Sequence, residues 1–154
     1  MRNLNLNLQI ICIKRKLLPK KKDFVLWLKT IYKGKQCIEI TVRIVDKPEI
    51  HNLNYRYRKK NKPTNILSFS YFNKKLKNKY YFLGDLIICA EIIEEEAKIQ
   101  KKSIHSHWAH IIIHGGLHLL GFNHIKYNDR KKMENIETKC LLSLGFKKPY
   151  NIIQ

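Results

Sequence analysis

The feature that most constrains the fold of this sequence is a run of histidines. Six of the seven histidines lie between residues 105 and 124. Residues 107–120 are predicted to form a helix that ends at Gly121, where glycine permits a sharp reversal of the chain. His114 and His118 are four residues apart, so their side chains project from one face of this helix. The segment therefore predicts both a helix and a cluster of imidazoles at its end.

Two imidazoles at this spacing can bind one zinc ion, each at about 2.0–2.1 Å. The reversal at Gly121 could return His124 to the same ion. Three protein nitrogens and a water molecule are typical of a catalytic zinc site with an open coordination position. The sequence therefore predicts one Zn2+ per chain, held by His114, His118 and His124.

His110 is the competing ligand, because it lies one turn before His114 on the same stripe. His110 and His118 would be roughly 12 Å apart along a helix axis, so they cannot both bind one ion. We therefore interpret His110 as a residue that supports the site or packs beside it. A zinc protease of the His-Glu-x-x-His type is disfavoured, because Gly115 stands where its general-base glutamate would be.

Charge is unevenly distributed along the chain, which has 154 residues and a formal net charge of +19. Residues 1–82 carry 21 basic and 4 acidic side chains, a net charge of +17, whereas residues 83–154 carry 10 and 8, a net charge of +2. This excess predicts attraction to a polyanion, with RNA and DNA as the leading candidates. Codon drift is the alternative, because Lys outnumbers Arg 25 to 6. Charge alone therefore suggests a partner without establishing one.

Length and hydrophobic content predict one folded domain over residues 1–154. The longest apolar runs have about five residues, whereas a membrane-spanning helix needs about 18. The alternating N-terminal residues disfavour a secretory signal peptide, so we expect a cytoplasmic protein with no membrane partner. The cysteines form no CxxC pair and each lies among apolar residues, which predicts buried free thiols. They are Cys12, Cys37, Cys89 and Cys140.

Hydrophobic periodicity predicts an α+β fold. Strands are predicted at 4–13, 37–45, 66–72 and 83–90. Helices are predicted to begin at Pro19 and after Asp46 as a possible cap, and to cover 91–102, 107–120 and 129–144. His105 and His107 are placed near a helix start, and His51 at an exposed helix position. We expect a single domain with a mixed sheet of about four strands packed with helices, and the zinc site at the end of the histidine-bearing helix.

Residues 114–124, His-Gly-Gly-Leu-His-Leu-Leu-Gly-Phe-Asn-His, resemble the signature of the YbeY family, bacterial zinc-dependent single-strand endoribonucleases. The family pattern is His-Gly-x-Leu-His-Leu-x-Gly-[Tyr/Phe]-Asp-His. Two further segments resemble family motifs in the same order: Leu-Gly-Asp at 83–85, and residues 54–69 with Asn54, Tyr57, Arg58 and Pro-Thr-Asn-Ile-Leu-Ser-Phe at 63–69. Asn61 and Asn123 replace aspartates of the family pattern, which keeps the shape and loses the charge.

The resemblance implies an enzyme that cuts single-stranded RNA and acts in 16S rRNA 3′-end maturation, ribosome assembly and quality control. It implies as partners the rRNA of the small ribosomal subunit, the ribosome, a small-subunit ribosomal protein and a ribosome-assembly GTPase. DNA is not expected as a substrate. The alternative is a non-catalytic, zinc-stabilised rRNA-binding assembly factor.

The resemblance also nominates Arg58 as a phosphate clamp, with Arg56 as its rival, because a guanidinium suits bidentate contact with phosphate. His114, His118 and His124 would then be both metal ligands and catalytic residues, since zinc lowers the pKa of bound water to about 7. Asp85 is expected either to support the site or to make a structural contact. Two groups of residues are expected to contact RNA, with core packing as the alternative for the aromatic ones: Lys59, Lys60, Lys62, Lys74, Lys75, Lys77 and Lys79; and Tyr55, Tyr57, Tyr71 and Phe72.

Overall fold

The fold was determined as a computed structural model, which describes residues 4–13, 17–34, 37–71 and 80–149. Four strands and five helices follow one another within these ranges. The strands are β1 (Leu4–Ile10), β2 (Cys37–Val45), β3 (Ile66–Ser70) and β4 (Tyr80–Cys89). The helices are α1 (Lys21–Lys29), α2 (Lys47–Arg58), α3 (Ala90–Ile99), α4 (Ile104–Leu119) and α5 (Tyr127–Ser143).

The sheet has the strand order β1-β2-β4-β3. β1 and β2 are parallel, as are β2 and β4, whereas β3 runs antiparallel to β4 and forms one edge. The β2–β4 register shifts beside Gly84, where φ is +156° and a Cβ would lie 2.2 Å from the Phe69 carbonyl oxygen. Glycine therefore allows β3 to pair closely at this irregular point. The predicted mixed four-stranded α+β fold is confirmed.

The two faces of the sheet carry cores of different size. The alternating residues Ile38, Ile40, Val42 and Ile44 of β2 are buried in the larger core, with α1, α4 and α5. On the other face, α2 contributes Ile50 to a smaller cluster. This period-two alternation is what identified the strand in the sequence.

Helix α4 lies at the centre of the larger core, and eleven of its sixteen residues are buried. Two adjacent glycines allow this close packing. A Cβ on Gly115 would lie 2.5 Å from Ile66 Cδ1 in β3, and one on Gly116 would lie 2.5 Å from Ile31 Cδ1. Because neither side has room for a methyl group, α4 is held tightly against both the sheet and the segment that follows α1.

The element boundaries differ from the predicted ones at several ends. β1 stops at Ile10, because the N–H groups of Ile11 and Cys12 both donate to the Ile44 carbonyl and the ladder becomes irregular. β4 begins three residues earlier than predicted, and α4 begins at Ile104 behind the cap Ser103, whose hydroxyl accepts from the Ser106 N–H. Within the described ranges, no helix combines the length and apolar character needed to cross a bilayer.

Three further expectations need correction. Cys37 is exposed, because it begins β2 on the face opposite the buried Ile38, whereas the other three cysteines are buried as predicted. His51 is half-buried rather than exposed, and its Nε2 lies 2.8 Å from Asn61 Oδ1. Asp46 occupies the N-cap position of α2 without a capping hydrogen bond, and its Oδ2 instead accepts from the Ile13 N–H at 3.0 Å.

Candidate metal centre

The end of α4 forms a turn that places the third histidine. Gly121 has φ of +99°, its N–H donates to the His118 carbonyl, and the Phe122 N–H donates to the Leu117 carbonyl. These two bonds close a Schellman motif, which requires a left-handed residue and favours glycine there. The chain therefore reverses within a few residues and brings His124 back beside α4.

The three predicted ligands lie together. One ring nitrogen from each of His114, His118 and His124 can be chosen so that all lie within 4.8 Å of one another. The Nε2 atoms of His114 and His118 are 3.1 Å apart. Two nitrogens bound tetrahedrally to one zinc ion would be about 3.3 Å apart, given Zn–N bonds of about 2.0–2.1 Å. The spacing of the helical pair thus fits one ion.

The hydrogen bonds of His114 and His118 use Nδ1 of each ring and leave Nε2 available to bind a metal. His118 Nδ1 lies 2.9 Å from the Phe122 carbonyl oxygen, which can only accept, so Nδ1 carries the proton. His114 Nδ1 lies 2.6 Å from Glu137 Oε2 and donates in the same way. Both Nε2 lone pairs therefore face each other across the site, an arrangement that a cation stabilises.

Burial and a neighbouring imidazole favour the neutral forms of His118 and His124. Burial, followed by the neighbouring His114, lowers the pKa of His118 to about 4 from its ordinary value of 6.5. The same two causes lower the pKa of His124. Neutral imidazole is the form that binds metal, so the donor set fits a zinc ion at neutral pH.

A buried carboxylate that the sequence did not reveal lies behind the histidines. Glu137 of α5 is fully buried and contacts His110 Nε2 at 3.0 Å and His114 Nδ1 at 2.6 Å. His110 therefore lies beside the cluster, as predicted. The signal for Glu137 was its position on the buried stripe of α5 with Met133, Cys140 and Leu141, because a carboxylate among core residues needs a buried partner.

Arg58, at the C-terminal end of α2, is held on the edge strand β3. Its Nη2 donates to the Ser68 carbonyl at 2.9 Å, and its Cζ lies 4.9 Å from the Phe69 ring centroid. Phe69 also packs edge-on against Tyr57. These contacts orient the guanidinium, which has five N–H donors and so can still bind a ligand.

Arg58 and the three histidines line one cavity of about 630 Å³ at the β3 edge. We call the side formed by His110, His114 and His118 the α4 wall, and the side formed by Arg58, Lys60 and Lys62 the β3 wall. Asn54 is buried in α2 and donates to the Lys62 carbonyl at 2.8 Å, which holds the lysine-bearing loop in place. Cations and neutral groups line the cavity within the described ranges, with no carboxylate, so its charge suits an anion.

Several predicted RNA contacts lie elsewhere. Arg56 and Lys59 do not line the cavity, nor do the described aromatic candidates Tyr55, Tyr57 and Tyr71. Asp85 lies on the sheet face opposite α4, where it accepts from the Tyr71 hydroxyl at 3.3 Å, so it makes a structural contact. Lys74, Lys75, Lys77, Lys79 and Phe72 lie outside the described residues.

The two asparagines at family aspartate positions both make local contacts. Asn123 Oδ1 accepts from the Ile125 N–H at 3.4 Å within the exposed turn that carries His124. Asn61 Oδ1 lies 2.8 Å from His51 Nε2. In both places an amide oxygen makes the contact, so the local structure does not need the aspartate charge.

Comparisons with known proteins decide the family of this chain. The model of the family described as Endoribonuclease YbeY matches residues 11–145. A protein named Endoribonuclease YbeY from Buchnera aphidicola subsp. Baizongia pistaciae (strain Bp) is 51% identical over 153 residues, which cover 97% of this chain and 97% of that protein. The chain belongs to the YbeY family. The predicted resemblance is thereby confirmed.

One further relative agrees with this YbeY assignment, and one solved structure shares the fold. A protein of the same name from Buchnera aphidicola subsp. Acyrthosiphon pisum (strain APS) is 52% identical over 151 residues, which cover 97% of each chain. The solution structure of a Thermotoga maritima protein superposes with a TM-score of 0.50 at 19% identity, covering 90% of this chain and 91% of that one. The second similarity concerns the fold alone.

Proposed function

We propose that residues 1–154 form a single zinc-dependent endoribonuclease domain that cuts single-stranded RNA. The observation that carries this proposal is the shared cavity, in which Arg58 faces His114, His118 and His124. A three-nitrogen ligand set with an open position supports catalysis by the metal. The cationic β3 wall supports a polyanionic substrate, and the relatives are named endoribonucleases.

In this proposal, His114, His118 and His124 hold one Zn2+, and Arg58 clamps the phosphate to be cut. Bound zinc would supply Lewis acidity at the phosphate and acidify water near neutral pH. Arg58 would donate to two oxygens of the phosphate and stabilise the negative charge that develops there. The contacts of Arg58 with Ser68 and Phe69 orient its guanidinium group before RNA binds, which lowers the entropic cost of binding.

Lys60 and Lys62 would contact phosphates on either side of the cut. A single strand can bend its backbone into a concave site at the sheet edge, whereas a paired helix presents its backbone on a rigid outer surface. The concave position of the histidines therefore favours single-stranded substrates. DNA is not proposed as a substrate, because the family name specifies ribonucleases.

The proposed cellular role is maturation of the 16S rRNA 3′ end in the cytoplasm, during ribosome assembly and quality control. The proposed partners are the rRNA of the small subunit, the ribosome, a small-subunit ribosomal protein and an assembly GTPase. This role extends from the family membership of the chain, and the basic excess in residues 1–82 suits an rRNA partner.

The test combines metal analysis with RNA cleavage by the full-length protein. Purified protein should contain about one zinc ion per chain, and single-stranded RNA should be cut in a chelator-sensitive reaction that added zinc restores. Precursor 16S rRNA within ribosomes should then be cut near its 3′ end. A paired RNA of the same sequence is the matched control and should remain intact.

Intact RNA in a protein that holds zinc and binds rRNA would overturn the catalytic proposal and favour the assembly-factor alternative. Chelator-resistant cutting would instead remove the metal from the mechanism. The two results differ in whether RNA is cut at all, so one preparation distinguishes them.

A further inference from the structure

We infer that Glu137 positions the ligand His114 for metal binding, and that it does so as one carboxylate shared between two histidines of α4. The inference rests on the proposed metal site. It concerns a residue that binds neither metal nor RNA and that acts through the tautomer and orientation of His114.

Each oxygen of the Glu137 carboxylate contacts a different histidine ring. Oε2 lies 2.6 Å from His114 Nδ1, and Oε1 lies 3.0 Å from His110 Nε2. His110 and His114 are one helical turn apart on α4, and Glu137 reaches between them from α5. A buried carboxylate is costly unless both oxygens are hydrogen-bonded, so this bridge fixes the glutamate and both rings together.

The direction of these hydrogen bonds follows from Lys102, which contacts the other ring nitrogen of His110. Lys102 Nζ lies 3.3 Å from His110 Nδ1, and an ammonium group can only donate. His110 Nδ1 therefore accepts, and its Nε2–H donates to Glu137. His114 donates to the same carboxylate from its Nδ1, so its Nε2 lone pair points towards His118. A carboxylate in this position fixes the tautomer of a metal-binding histidine and raises the basicity of its free nitrogen.

The same helix offers a matched control. His107 Nε2 lies 2.8 Å from Glu96 Oε1, which is also a contact between a buried histidine of α4 and a carboxylate of a neighbouring helix. His107 lies seven residues before His114 and outside the cavity. Glu96 also accepts from Asn65 Nδ2 at 3.1 Å. Loss of its charge therefore tests what such carboxylate contacts contribute to folding, at a histidine that is not a proposed metal ligand.

Glu137→Gln preserves the size of the side chain and replaces one acceptor by an N–H2 donor. Each carboxylate oxygen of Glu137 contacts a different ring, so in the glutamine variant the amide oxygen faces one ring and the N–H2 group faces the other. Where the oxygen faces His110, the amide N–H2 faces His114 Nδ1 and the proton of that ring moves to Nε2. The nitrogen that should bind the ion is then blocked.

The experiment measures the Zn2+ dissociation constant of the full-length protein by competition with a chromophoric chelator. We expect Glu137→Gln to bind zinc about 10–100-fold more weakly than the wild type, and Glu96→Gln to bind it with unchanged affinity. NMR of the metal-free proteins adds a direct readout. His114 should be protonated at Nδ1 in the wild type and in Glu96→Gln, and at Nε2 in a substantial fraction of Glu137→Gln.

Equal zinc affinity of Glu137→Gln and wild type would overturn the inference, as would an equal loss of affinity in both variants. If Glu137→Gln does not fold, Glu137→Asp becomes the test variant, because it keeps the charge but is too short to reach both rings. Unchanged affinity in that variant would also overturn the inference. A wild-type protein that binds no zinc would remove the proposed function itself, which is a separate result.

Discussion

The α4 wall and the β3 wall of the cavity differ in burial and in how their side chains are held. The histidines of the α4 wall are mostly buried, and hydrogen bonds hold their rings in place. His110 and His114 contact the fully buried Glu137 of α5, and His118 contacts the Phe122 carbonyl in the turn after α4. On the β3 wall, Arg58, Lys60 and Lys62 are exposed, and Arg58 is held by one strand carbonyl and one ring.

This difference indicates how the two walls divide the chemistry. A metal ion needs nitrogens fixed to within tenths of an ångström, which a packed helix and its turn provide. A flexible RNA backbone needs charge that adapts to several positions, which exposed cations on a loop provide. Substitution of a proposed ligand on the α4 wall, His114 or His118, should therefore abolish metal binding, whereas substitutions on the β3 wall should reduce turnover or RNA affinity and leave the metal in place.

The largest expected effect comes from removing a ligand of the α4 wall. His114→Ala should reduce the zinc content of the purified protein from about one ion per chain to near zero, because two nitrogens do not retain zinc against buffer. Turnover should fall with it. Metal analysis by mass spectrometry checks the prediction, and full zinc content in this variant would contradict the assignment of the ligand.

Arg58→Ala should remove the proposed phosphate contact of the β3 wall and leave the histidines of the α4 wall in place. We expect a kcat about 10²–10³-fold lower, the cost of losing one charge-stabilising donor, with unchanged zinc content. Stability should fall by no more than about 1 kcal/mol, because the side chain is exposed. Arg56→Ala is the matched control from the same helix. Equal loss of turnover in both variants would mean that Arg58 has no special role.

Gly115→Ala tests the packing of α4 against β3, the strand on which Arg58 is anchored. Its new methyl group would press on Ile66, Leu86 and Ser68, and we expect stability to fall by about 1–2 kcal/mol after the gain in helix propensity. Gly116→Ala is the control, because its methyl group would press on Leu28 and Ile31 instead. Denaturant unfolding measures the first effect. At denaturant concentrations below the unfolding transitions of both variants, only Gly115→Ala should lower kcat, since it alone pushes β3 away from α4.

The double variant Lys60→Ala/Lys62→Ala should have a smaller effect, confined to RNA binding. Removing two phosphate contacts should reduce the slope of log affinity against log salt by about 1.4, at about 0.7 per contact for single strands. Filter binding at several salt concentrations measures this slope. Lys98→Ala/Lys139→Ala removes the same charge from exposed positions outside the cavity. An equal change of slope in this control would assign binding to net charge alone.

A further expected effect is a pH dependence that belongs to the α4 wall. Since the folded-state pKa of His118 is about 4 against an ordinary 6.5, the unfolded chain binds a proton first as the pH falls. Stability of the metal-free protein should therefore be constant above about pH 6.5 and decline between about pH 6.5 and 4. Thermal unfolding in chelator checks this. His118→Gln should flatten the decline, whereas Arg58→Ala should leave it unchanged.

The local elements could be predicted from the sequence because their signals are local. Alternation at 37–45 and the histidine helix ending at Gly121 each depend on residues that are neighbours in the chain. The grouping of His114, His118 and His124 was predictable for the same reason, since eleven consecutive residues contain all three. Arg58 was not predictable from spacing, and only its family motif suggested it.

Burial was predicted less well, because it depends on which face of an element is covered. Cys37 has apolar neighbours on one side in the sequence, yet it begins a strand on the uncovered face. Asp85 lies one residue before the buried Leu86, and strand alternation sends its side chain to the face opposite the histidines. Such outcomes follow from the arrangement of helices around the sheet.

The sequence by itself determined the grouping of His114, His118 and His124, because a helix followed by a glycine turn defines the relative positions of three histidines over a short distance. Tertiary structure alone decided what surrounds that set. Glu137 is 23 residues from His114 and Ser68 is 47 residues from Gly115, and no local pattern joins such pairs. They meet because α4 packs between the sheet and α5, which brings a carboxylate to one side of the histidines and Arg58 on the β3 edge to the other.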